Sequence, residues 1–328
     1  ANDIALLDLV GPPAPAVEII EDANNDAIIS ASELEGAIDV LVTLLNAASE
    51  GDVLTVTDGK SPQTVTLTNA QNAGGSFATT FASPGDGNTI TVTVYVTDVV
   101  GNQGASSDDS ALLDLSGPAA PEVVITEDAN NDGVISGSEL SGAIDVRVNL
   151  PADAVAGDTL TITNGSAPQS LILTTVNITS QFIETVFDVP TEGAVITVVA
   201  FVTDTYGNQG EEGADSAALN ATGAAAPVVA ITEDANNDAF IIAAELSGAI
   251  DVAIALPDDV EAGDTLKVSD GTTEQQFVLS LSQVSSGMVS TQFASPGHGK
   301  TITVVAFVVD QVGNQGSSGT DTATLDLI

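Results

Sequence analysis

Apolar and polar residues alternate with a period of two along several short segments of this chain. One such segment runs from Ile38 to Leu44, and a later one from Ile90 to Val96. Successive side chains of a strand point to opposite faces of a sheet, so each segment predicts a strand with one buried face. Shorter runs predict further strands at 17–20, 54–56 and 65–67, in a segment that ends at Phe81, and at 111–115, with little helix.

The whole pattern returns at a fixed interval. Asp22, Asp128 and Asp234 each open the segment Asp-Ala-Asn-Asn-Asp, so the copies are 106 residues apart. The strand at 38–44 returns at 144–150 and 250–256, and the strand at 90–96 at 196–202 and 302–308. This period is the size of a domain rather than of a solenoid turn, and each copy is therefore expected to have its own core.

The copies predict the domain boundaries at residues 12–117, 118–223 and 224–328. Residues 1–11 match the end of a copy, so we expect them to be the last strand of a preceding repeat and the chain to be a fragment of a longer array. The joints are rich in Pro and Ala, as at 11–15, and Pro stiffens such segments.

About seven short strands in about 100 residues predict an all-β fold, an immunoglobulin-like β-sandwich. Three such domains in tandem predict an elongated rod. The chain has neither Cys nor Trp, so the Cys-Trp-Cys core of antibody domains is absent and the core is expected to be aliphatic, with Phe81, Phe187 and Phe293 as larger fillers. A cadherin-like or another Greek-key sandwich fits the same pattern.

Composition narrows the choice of partners. Four Lys and Arg residues face 46 Asp and Glu residues, a formal net charge of −42, which excludes nucleic acid and anionic membrane surfaces as natural partners. Divalent cations are the natural alternative, and they would also offset the self-repulsion of the folded chain. Without Cys there is neither a disulfide nor thiolate chemistry, and no apolar run is long enough to predict insertion into a membrane.

One recurrent segment has the ligand spacing of an EF-hand calcium loop, with oxygen donors at positions 1, 3, 5, 7, 9 and 12. Ala27 and Ala239 replace the usual Gly at the sharp turn of copies one and three, and Ile242 stands at position 9 of copy three. The alternative is a solvated acidic turn held by Asx hydrogen bonds. The predicted ligands are Asp22, Asn24, Asp26, the carbonyl of Ile28, Ser30 and Glu33; Asp128, Asn130, Asp132, the carbonyl of Val134, Ser136 and Glu139; and Asp234, Asn236, Asp238, the carbonyl of Phe240 and Glu245.

A second recurrent cluster follows the penultimate strand, at 98–104, 204–210 and 310–316. Taken alone it is typical of a turn capped by Asp with Gly in the left-handed conformation. In a tandem sandwich, however, this loop of one copy faces the calcium-loop segment of the copy before it, so we expect a bridging ion at each joint. The candidate ligands between domains are Asp8, Asp98, Asn102, Asp114, Asp204, Asn208, Asp310 and Asn314, and Asn220 reaches the joint at the position of Asp114.

Other recurrent acidic residues receive simpler interpretations. Asp52, Asp158 and Asp264 are expected to cap turns, and Asp39, Asp145 and Asp251 to lie at exposed strand positions. The single His298 is expected to be a surface residue.

Three of these segments together resemble a known family: Ile-Thr-Glu-Asp-Ala-Asn-Asn-Asp-Gly-Val-Ile-Ser from Ile125, Leu-Ser-Gly-Ala-Ile-Asp-Val from Leu140, and Val-Thr-Asp-X-X-Gly-Asn from Val202. They look like the immunoglobulin-like extender repeats of giant bacterial adhesins of the RTX and Bap-like type. The resemblance implies calcium-stabilised sandwiches at the bacterial surface. It also implies a spacer that projects a distal ligand-binding domain for adhesion and biofilm formation.

The expected chain is therefore a monomeric, calcium-stiffened rod without enzymatic activity, whose partners are calcium and its own neighbouring repeats. The main alternative is a set of repeats that themselves bind a surface, a glycan or a partner protein. An enzyme would need a catalytic constellation that stands out from the repeat. General salt adaptation would spread acidic residues over all faces rather than concentrate them at loop ends.

Overall fold

The computed structural model describes residues 7–44 and 48–328. In this part of the chain the first repeat contains β1 (Ala16–Ile19), β2 (Ile28–Ser30), β3 (Ile38–Thr43), β4 (Val53–Thr57), β5 (Gln63–Thr66), α1 (Asn69–Gly74), β6 (Ser76–Phe81), β7 (Thr89–Thr97) and β8 (Ser107–Asp114).

The second repeat has the same order of elements. Its strands and helix are β9 (Glu122–Ile125), β10 (Val134–Ser136), β11 (Ile144–Asn149), β12 (Thr159–Thr163), β13 (Gln169–Ile172), α2 (Thr175–Ser180), β14 (Phe182–Phe187), β15 (Val195–Thr203) and β16 (Gly213–Asn220). The third repeat has β17 (Val228–Ile231), β18 (Phe240–Ile242), β19 (Ile250–Ala255), β20 (Thr265–Ser269), β21 (Glu274–Val278), α3 (Leu281–Ser286), β22 (Met288–Phe293), β23 (Thr301–Val309) and β24 (Gly319–Asp326).

Each repeat forms one three-stranded and one five-stranded sheet. In the first repeat the strand orders are β1-β3-β6 and β2-β8-β7-β4-β5, and the same orders recur as β9-β11-β14 with β10-β16-β15-β12-β13, and as β17-β19-β22 with β18-β24-β23-β20-β21. The prediction of an all-β fold of three tandem immunoglobulin-like sandwiches is therefore confirmed.

The chain changes sheets inside the segment predicted to bind calcium. β1 pairs antiparallel with β3, with Ile19 opposite Val40. Shortly after β1, β2 pairs parallel with β8 of the other sheet, with Ser30 opposite Asp114. The expectation of about seven strands missed β2, β10 and β18, because three residues are too few to show a period.

The core has the alternation read from the sequence. Ile38, Val40 and Val42 are fully buried, whereas Asp39 between them is exposed. In the first and third repeats one continuous cluster of buried side chains joins the two sheets. Phe81, Phe187 and Phe293 are buried as predicted, at 4%, 7% and 3% exposure. Removing these apolar side chains from water is the main force that holds the sheets together.

One short helix in each repeat links the two sheets. α1 begins after Thr68, whose side chain accepts a hydrogen bond from the backbone of Gln71, and the side chain of Gln71 accepts one from the backbone of Thr68 in return. The helix ends at Gly75, whose φ of 69° is in the left-handed region. The same reciprocal cap begins α2 and α3.

The chain forms two compact units whose border passes through the second repeat. One comprises Ala1–Glu122, Asn149–Ile183 and Val199–Gly213, and the other Val123–Val148, Glu184–Val198 and Ala214–Ile328. The predicted last strand of a preceding copy spans residues 1–11. Of these, residues 1–6 lie outside the described residues, and residues 7–11 are not in a strand.

Candidate functional site

The acidic loops have the backbone conformation that a sharp turn at their sixth position requires. Gly133 has a φ of 83°, and Ala27 and Ala239 both have a φ of 68°. A residue with a Cβ atom is strained in this left-handed region by roughly 1–2 kcal/mol. The loops of copies one and three therefore adopt the predicted turn despite their Ala residues.

Local hydrogen bonds hold the carboxylates of these loops. In copy two, Asp128 accepts bonds from the backbone N–H groups of Asp132, at 3.1 Å, and Gly133, at 2.8 Å. Asn130 accepts from Asp132 at 2.8 Å, and Asp132 from Val134 at 2.9 Å. Copies one and three have equivalent bonds. This is the Asx-turn arrangement of the alternative interpretation, and it places the predicted ligands on a common loop.

The last predicted ligand folds back onto the loop. Glu139 accepts hydrogen bonds from the backbone N–H of Ser136 at 3.0 Å and from its hydroxyl at 2.8 Å. These bonds lower the pKa of Glu139, and the backbone N–H groups of Asn130 and Ala129 lower it further. In copy three, Glu245 accepts from the N–H of Ile242 at 3.0 Å, and Ile242 has no hydroxyl to add a second bond.

A buried glutamate precedes each loop, and it was not among the predicted ligands. Glu21, Glu127 and Glu233 are 7%, 5% and 6% exposed. Glu127 accepts a hydrogen bond from the N–H of Ser141, and Glu233 accepts one from the hydroxyl of Ser247 at 3.1 Å. The recurrent Glu-Asp pair is visible in the sequence, but its burial follows only from the change of sheets.

The joint between repeats one and two is closed by one asparagine side chain. Asn208 is 3% exposed, and its Oδ1 accepts a hydrogen bond from the backbone N–H of Ala31 at 2.9 Å. Its Nδ2 donates to the carbonyl of Asp114 at 2.9 Å and to the carboxylate of Asp204 at 2.8 Å. The predicted meeting of the first loop, the last strand and the following repeat is therefore confirmed at this joint.

The joint between repeats two and three has the same construction. Oδ1 of Asn314 accepts from the N–H of Gly137 at 2.7 Å, and Nδ2 donates to the carbonyl of Asn220 at 2.8 Å and to Asp310 at 2.7 Å. In the first repeat, Asn102 donates to the carbonyl of Asp8 at 3.2 Å and to Asp98 at 2.9 Å. We call Asn208 and Asn314, with these bonds, the asparagine clamps.

Glycine allows the backbone to approach closely at the same joints. A Cβ atom on Gly117 would lie 2.3 Å from the backbone nitrogen of Gly210. A Cβ atom on Gly210 would lie 2.0 Å from the carbonyl oxygen of Pro118. Both distances are impossible for a real side chain, so the linker packs against the 204–210 loop only because both positions are Gly.

Carboxylates line a cavity beside each clamp. The cavity between repeats one and two has a volume of about 250 Å³, and the one between repeats two and three about 300 Å³. Neither Lys nor Arg lines either of these two cavities within the described residues. The acidic residues that line them are Asp114, Asp153, Asp158 and Asp204 in the first, and Asp259, Glu261, Asp264 and Asp310, with Asn220, in the second.

Asp158 is the buried member of the first cavity. It is 1% exposed, and its Oδ2 accepts a hydrogen bond from the N–H of Val155 at 2.8 Å, so it caps a turn as predicted. Its Oδ1 is buried and has no hydrogen-bond partner of good geometry among the described residues. Burial raises the pKa of Asp158, and the charges of Asp204 and Asp153 raise it further. Hydrogen bonding to the backbone N–H groups of Val155 and Thr205 lowers this pKa and offsets part of the rise.

Asp114 has a similar environment. Burial raises its pKa, and the carboxylates of Asp204 and Asp86 add to the rise. The joint therefore keeps several negative groups close together at an electrostatic cost. The predicted ligands at this joint included Asp114 and Asp204, whereas Asp158 was expected only to cap a turn, because its burial depends on tertiary contacts.

As the structure stands, the described residues contain no group of three or more His, Cys, Asp or Glu side chains arranged to hold a metal ion. The oxygens in the cavities are nevertheless the hard donors that Ca²⁺ prefers, and Asp158 Oδ1 has no hydrogen bond of good geometry among the described residues. In the described part of the chain, no helix has the length and apolar character needed to cross a membrane.

No protein-family model matches the chain, and no curated protein is significantly similar to it in sequence. A solved structure of a 1.5-MDa bacterial ice-binding adhesin, concerned with retention at the host cell surface, is 19% identical with a TM-score of 0.42 and covers 96% of this chain and 99% of that one. The tetra-tandem repeat in the extending region of a large adhesion protein is 17% identical with a TM-score of 0.29, covering 94% and 74%. The FN1–FN3 domains of chicken CNTN1 are 9% identical with a TM-score of 0.28, covering 96% and 98%.

The single histidine has a structural counterpart in each of the other copies. Nδ1 of His298 accepts a hydrogen bond from the backbone N–H of Leu327 at 3.0 Å. At the equivalent positions Asp86 accepts from Leu115 at 2.7 Å, and Glu192 accepts from Ala221 at 3.0 Å. His298 thus holds the end of the last strand, as carboxylates do in the other two repeats.

Proposed function

We propose that this chain is a structural extender segment of a secreted bacterial surface adhesin, and that calcium stiffens the joints between its sandwiches. In this proposal the chain lies outside the cell and carries a distal binding domain away from the surface. Three repeats with the same order of elements and two joints with the same hydrogen bonds support the proposal, because a spacer needs the same unit many times.

The observation that carries the calcium part of the proposal is the buried Oδ1 of Asp158, which has no hydrogen bond of good geometry among the described residues. A buried polar atom without a hydrogen bond costs roughly 1–3 kcal/mol. This atom belongs to a cavity that Asp158 shares with Asp114, Asp153 and Asp204 and that has no basic side chain among its lining residues. A cation is the partner that removes both the unsatisfied oxygen and the repulsion.

Asp158, Asp114 and Asp204 are the residues that would hold the ion, with Asp153 beside them. Calcium supplies a divalent charge that converts repulsion across the joint into attraction. Because these carboxylates belong to two successive repeats, their approach would restrict the bending of the joint. A site filled at about 100 times its dissociation constant stabilises the folded state by about 2.7 kcal/mol.

The acidic loops are proposed as a second set of calcium sites, within each repeat. Their oxygens are already ordered by backbone hydrogen bonds, as at Asp128. In copy three the missing hydroxyl at Ile242 predicts a weaker site than in copy two, where Ser136 stands.

The test is small-angle X-ray scattering together with thermal melting of the 328-residue chain, in millimolar calcium and in excess EDTA. We expect calcium to lengthen and narrow the distribution of interatomic distances and to raise the melting temperature. The double variant Asp158→Asn and Asp264→Asn should lose the change in scattering. Asp52→Asn is the matched control, because no complete repeat precedes Asp52 in this chain.

Loop variants separate the two proposed sets of sites. Asp128→Ala with Glu139→Ala should reduce the calcium-dependent rise in melting temperature of repeat two and leave the calcium-dependent scattering intact. If the wild-type chain gave the same scattering and melting curves in calcium and in EDTA, the calcium proposal would be wrong and the acidic segments would be solvated turns.

A further inference from the structure

Each repeat contains one continuous stretch without Asp, Glu, Lys or Arg. These stretches are residues 61–85, 159–183 and 275–299, in a chain with 46 acidic residues. In the third repeat the stretch covers most of β21, all of α3 and all of β22. The acidic residues are therefore concentrated elsewhere, and the border formed by each stretch carries no Asp, Glu, Lys or Arg. Glu184 of β14 lies one residue beyond the stretch of repeat two and is ion-paired with Arg147.

This border consists of sheet edges. β21 is the last strand of the five-stranded sheet and pairs with β20, and β22 is the last strand of the three-stranded sheet and pairs with β19. The side chain of Gln275 connects the two edges by donating to the carbonyl of Gln292 at 2.8 Å. Exposed edges are usually protected from pairing by charged side chains, and here the residues of the stretch supply none.

Apolar side chains are exposed along this border in two of the three repeats. Val278, Leu281 and Met288 of repeat three are 71%, 76% and 51% exposed. In repeat two, Ile172 and Val176 are 65% and 76% exposed. We call the first set the repeat-three patch and the second the repeat-two patch.

The fold does not require these apolar residues. The positions of Ile172 and Val176 are occupied by Thr66 and Ala70 in repeat one, and the positions of Val278, Leu281 and Met288 by Thr66, Asn69 and Ser76. Repeat one has the same strands and the same capped helix at this border. The patches are thus specific to individual copies, as a contact surface would be.

We propose that the repeat-two patch and the repeat-three patch are each a lateral contact surface for a second copy of this chain. The charge distribution favours a second copy of the chain over a basic partner. A basic partner would be drawn to the acidic joints, whereas two chains of charge −42 repel each other except where neither carries charge. A second copy presents the same uncharged apolar border, and a two-fold arrangement brings like patches together.

This inference goes beyond the extender function and does not depend on calcium. The contact is small and has repulsion around it, so we expect the chain to be monomeric when dilute and to associate as its concentration rises. Added salt should strengthen the association, because it screens the repulsion between the two chains and leaves the apolar contact in place. An association through charged groups would weaken instead.

Sedimentation velocity and light scattering of the whole chain in EDTA, from micromolar concentration to about 1 mM and at two salt concentrations, test the proposal. Two variants introduce the residues of repeat one: Ile172→Thr with Val176→Ala, and Val278→Thr with Leu281→Asn. Each should weaken self-association about tenfold, because each exposes less apolar area to the partner. Unchanged melting curves would show that both variants remain folded.

Val195→Thr is the matched control. Val195 is 64% exposed outside the uncharged stretches, and repeat one carries Thr89 at its position. This variant removes similar apolar area and should associate like the wild type. The proposal is overturned if the wild-type chain stays monomeric to the highest concentration in both salts, if added salt dissociates it, or if the patch variants associate as strongly as the control.

Discussion

Oδ1 of Asn208 accepts a hydrogen bond at 2.9 Å from the backbone N–H of Ala31, 177 residues earlier in the chain. The two nitrogen-bound hydrogens of the same amide go to the carbonyl of Asp114 and the carboxylate of Asp204. One buried side chain therefore ties together the acidic loop and the last strand of one repeat and the turn of the next. These bonds join protein groups directly, so calcium would add to a contact that the chain makes by itself.

Replacing Asn208 by Asp tests the asparagine clamp. The variant keeps an acceptor for Ala31 but places an oxygen where Nδ2 now donates to Asp114 and Asp204, so two hydrogen bonds become two repulsive contacts. We expect a loss of about 2 to 4 kcal/mol in the coupling between the repeats. The measurements are thermal melting and limited proteolysis of the 115–119 linker, both in EDTA.

Asn102→Asp provides the control for that experiment, because Asn102 donates to Asp98 of its own repeat and to the carbonyl of Asp8, which precedes the first complete repeat. Its linker 115–119 should stay as resistant to proteolysis as in the wild type. Equal cleavage of the Asn208 variant and the wild type would show that the clamp does not hold the joint.

Asp158→Asn should stabilise the chain in EDTA at neutral pH, by about 1 to 3 kcal/mol, because it removes a buried charge with an unsatisfied oxygen. The pKa of Asp158 is raised in the folded state, so its protonated form is the favoured one there. The wild type should recover stability as the pH falls through the folded pKa toward the ordinary pKa of Asp. The difference in free energy of unfolding between variant and wild type should therefore shrink on acidification.

Chemical denaturation of both proteins in parallel at several pH values measures this difference, and the comparison cancels the titration of the other carboxylates. A difference for Asp158→Asn that did not change with pH would contradict the assigned environment of Asp158.

Glu139→Gln should show the opposite dependence of stability on pH. The pKa of Glu139 is lowered, so its charged form stabilises the fold above the ordinary pKa of Glu, and that contribution is lost as the pH falls through the folded pKa.

Ala27→Gly and Ala239→Gly should each stabilise their repeat by up to about 1 kcal/mol, because Gly adopts the left-handed conformation without strain. Gly133→Ala should destabilise repeat two by a similar amount. A Cβ atom on Gly133 would meet nothing within 4 Å, so this effect would come from the backbone alone. Denaturant unfolding measures the free energy of unfolding of all three variants. Values equal to that of the wild type would show that the loop relaxes around its sixth residue.

Asp215 tests the link between the first and last strands of repeat two. Its Oδ2 accepts a hydrogen bond at 2.8 Å from the N–H of Ile125, 90 residues earlier, and Asp109 and Asp321 do the same in the other repeats. Asp215→Ala leaves this N–H without a partner and should cost about 1 to 3 kcal/mol. Asp215→Asn retains an acceptor and should cost much less. Similar losses in both variants would point to the charge rather than to the hydrogen bond.

Much of the candidate site could be predicted from the order of residues along the chain. The ligand spacing of the loops depends on positions along one segment, and the left-handed turn at Ala27 follows from the same spacing. The meeting of the loop with Asn208 followed from the order of strands in a sandwich. The burial of Asp158 and of Glu127 could not be predicted, because it depends on which neighbouring segments cover them.

The sequence by itself determined the repeat, the strands with one buried face and the sandwich. The alternation of apolar and polar residues is a local pattern, and it recurs in all three copies. Only the tertiary structure decided that β2 crosses to the second sheet, that Asn208 closes the joint by direct hydrogen bonds, and that Asp158 is buried with one oxygen that lacks a hydrogen bond of good geometry. Those features arise from contacts between residues tens to nearly two hundred positions apart. Such contacts depend on the packing of whole strands, and no local pattern of residues records them.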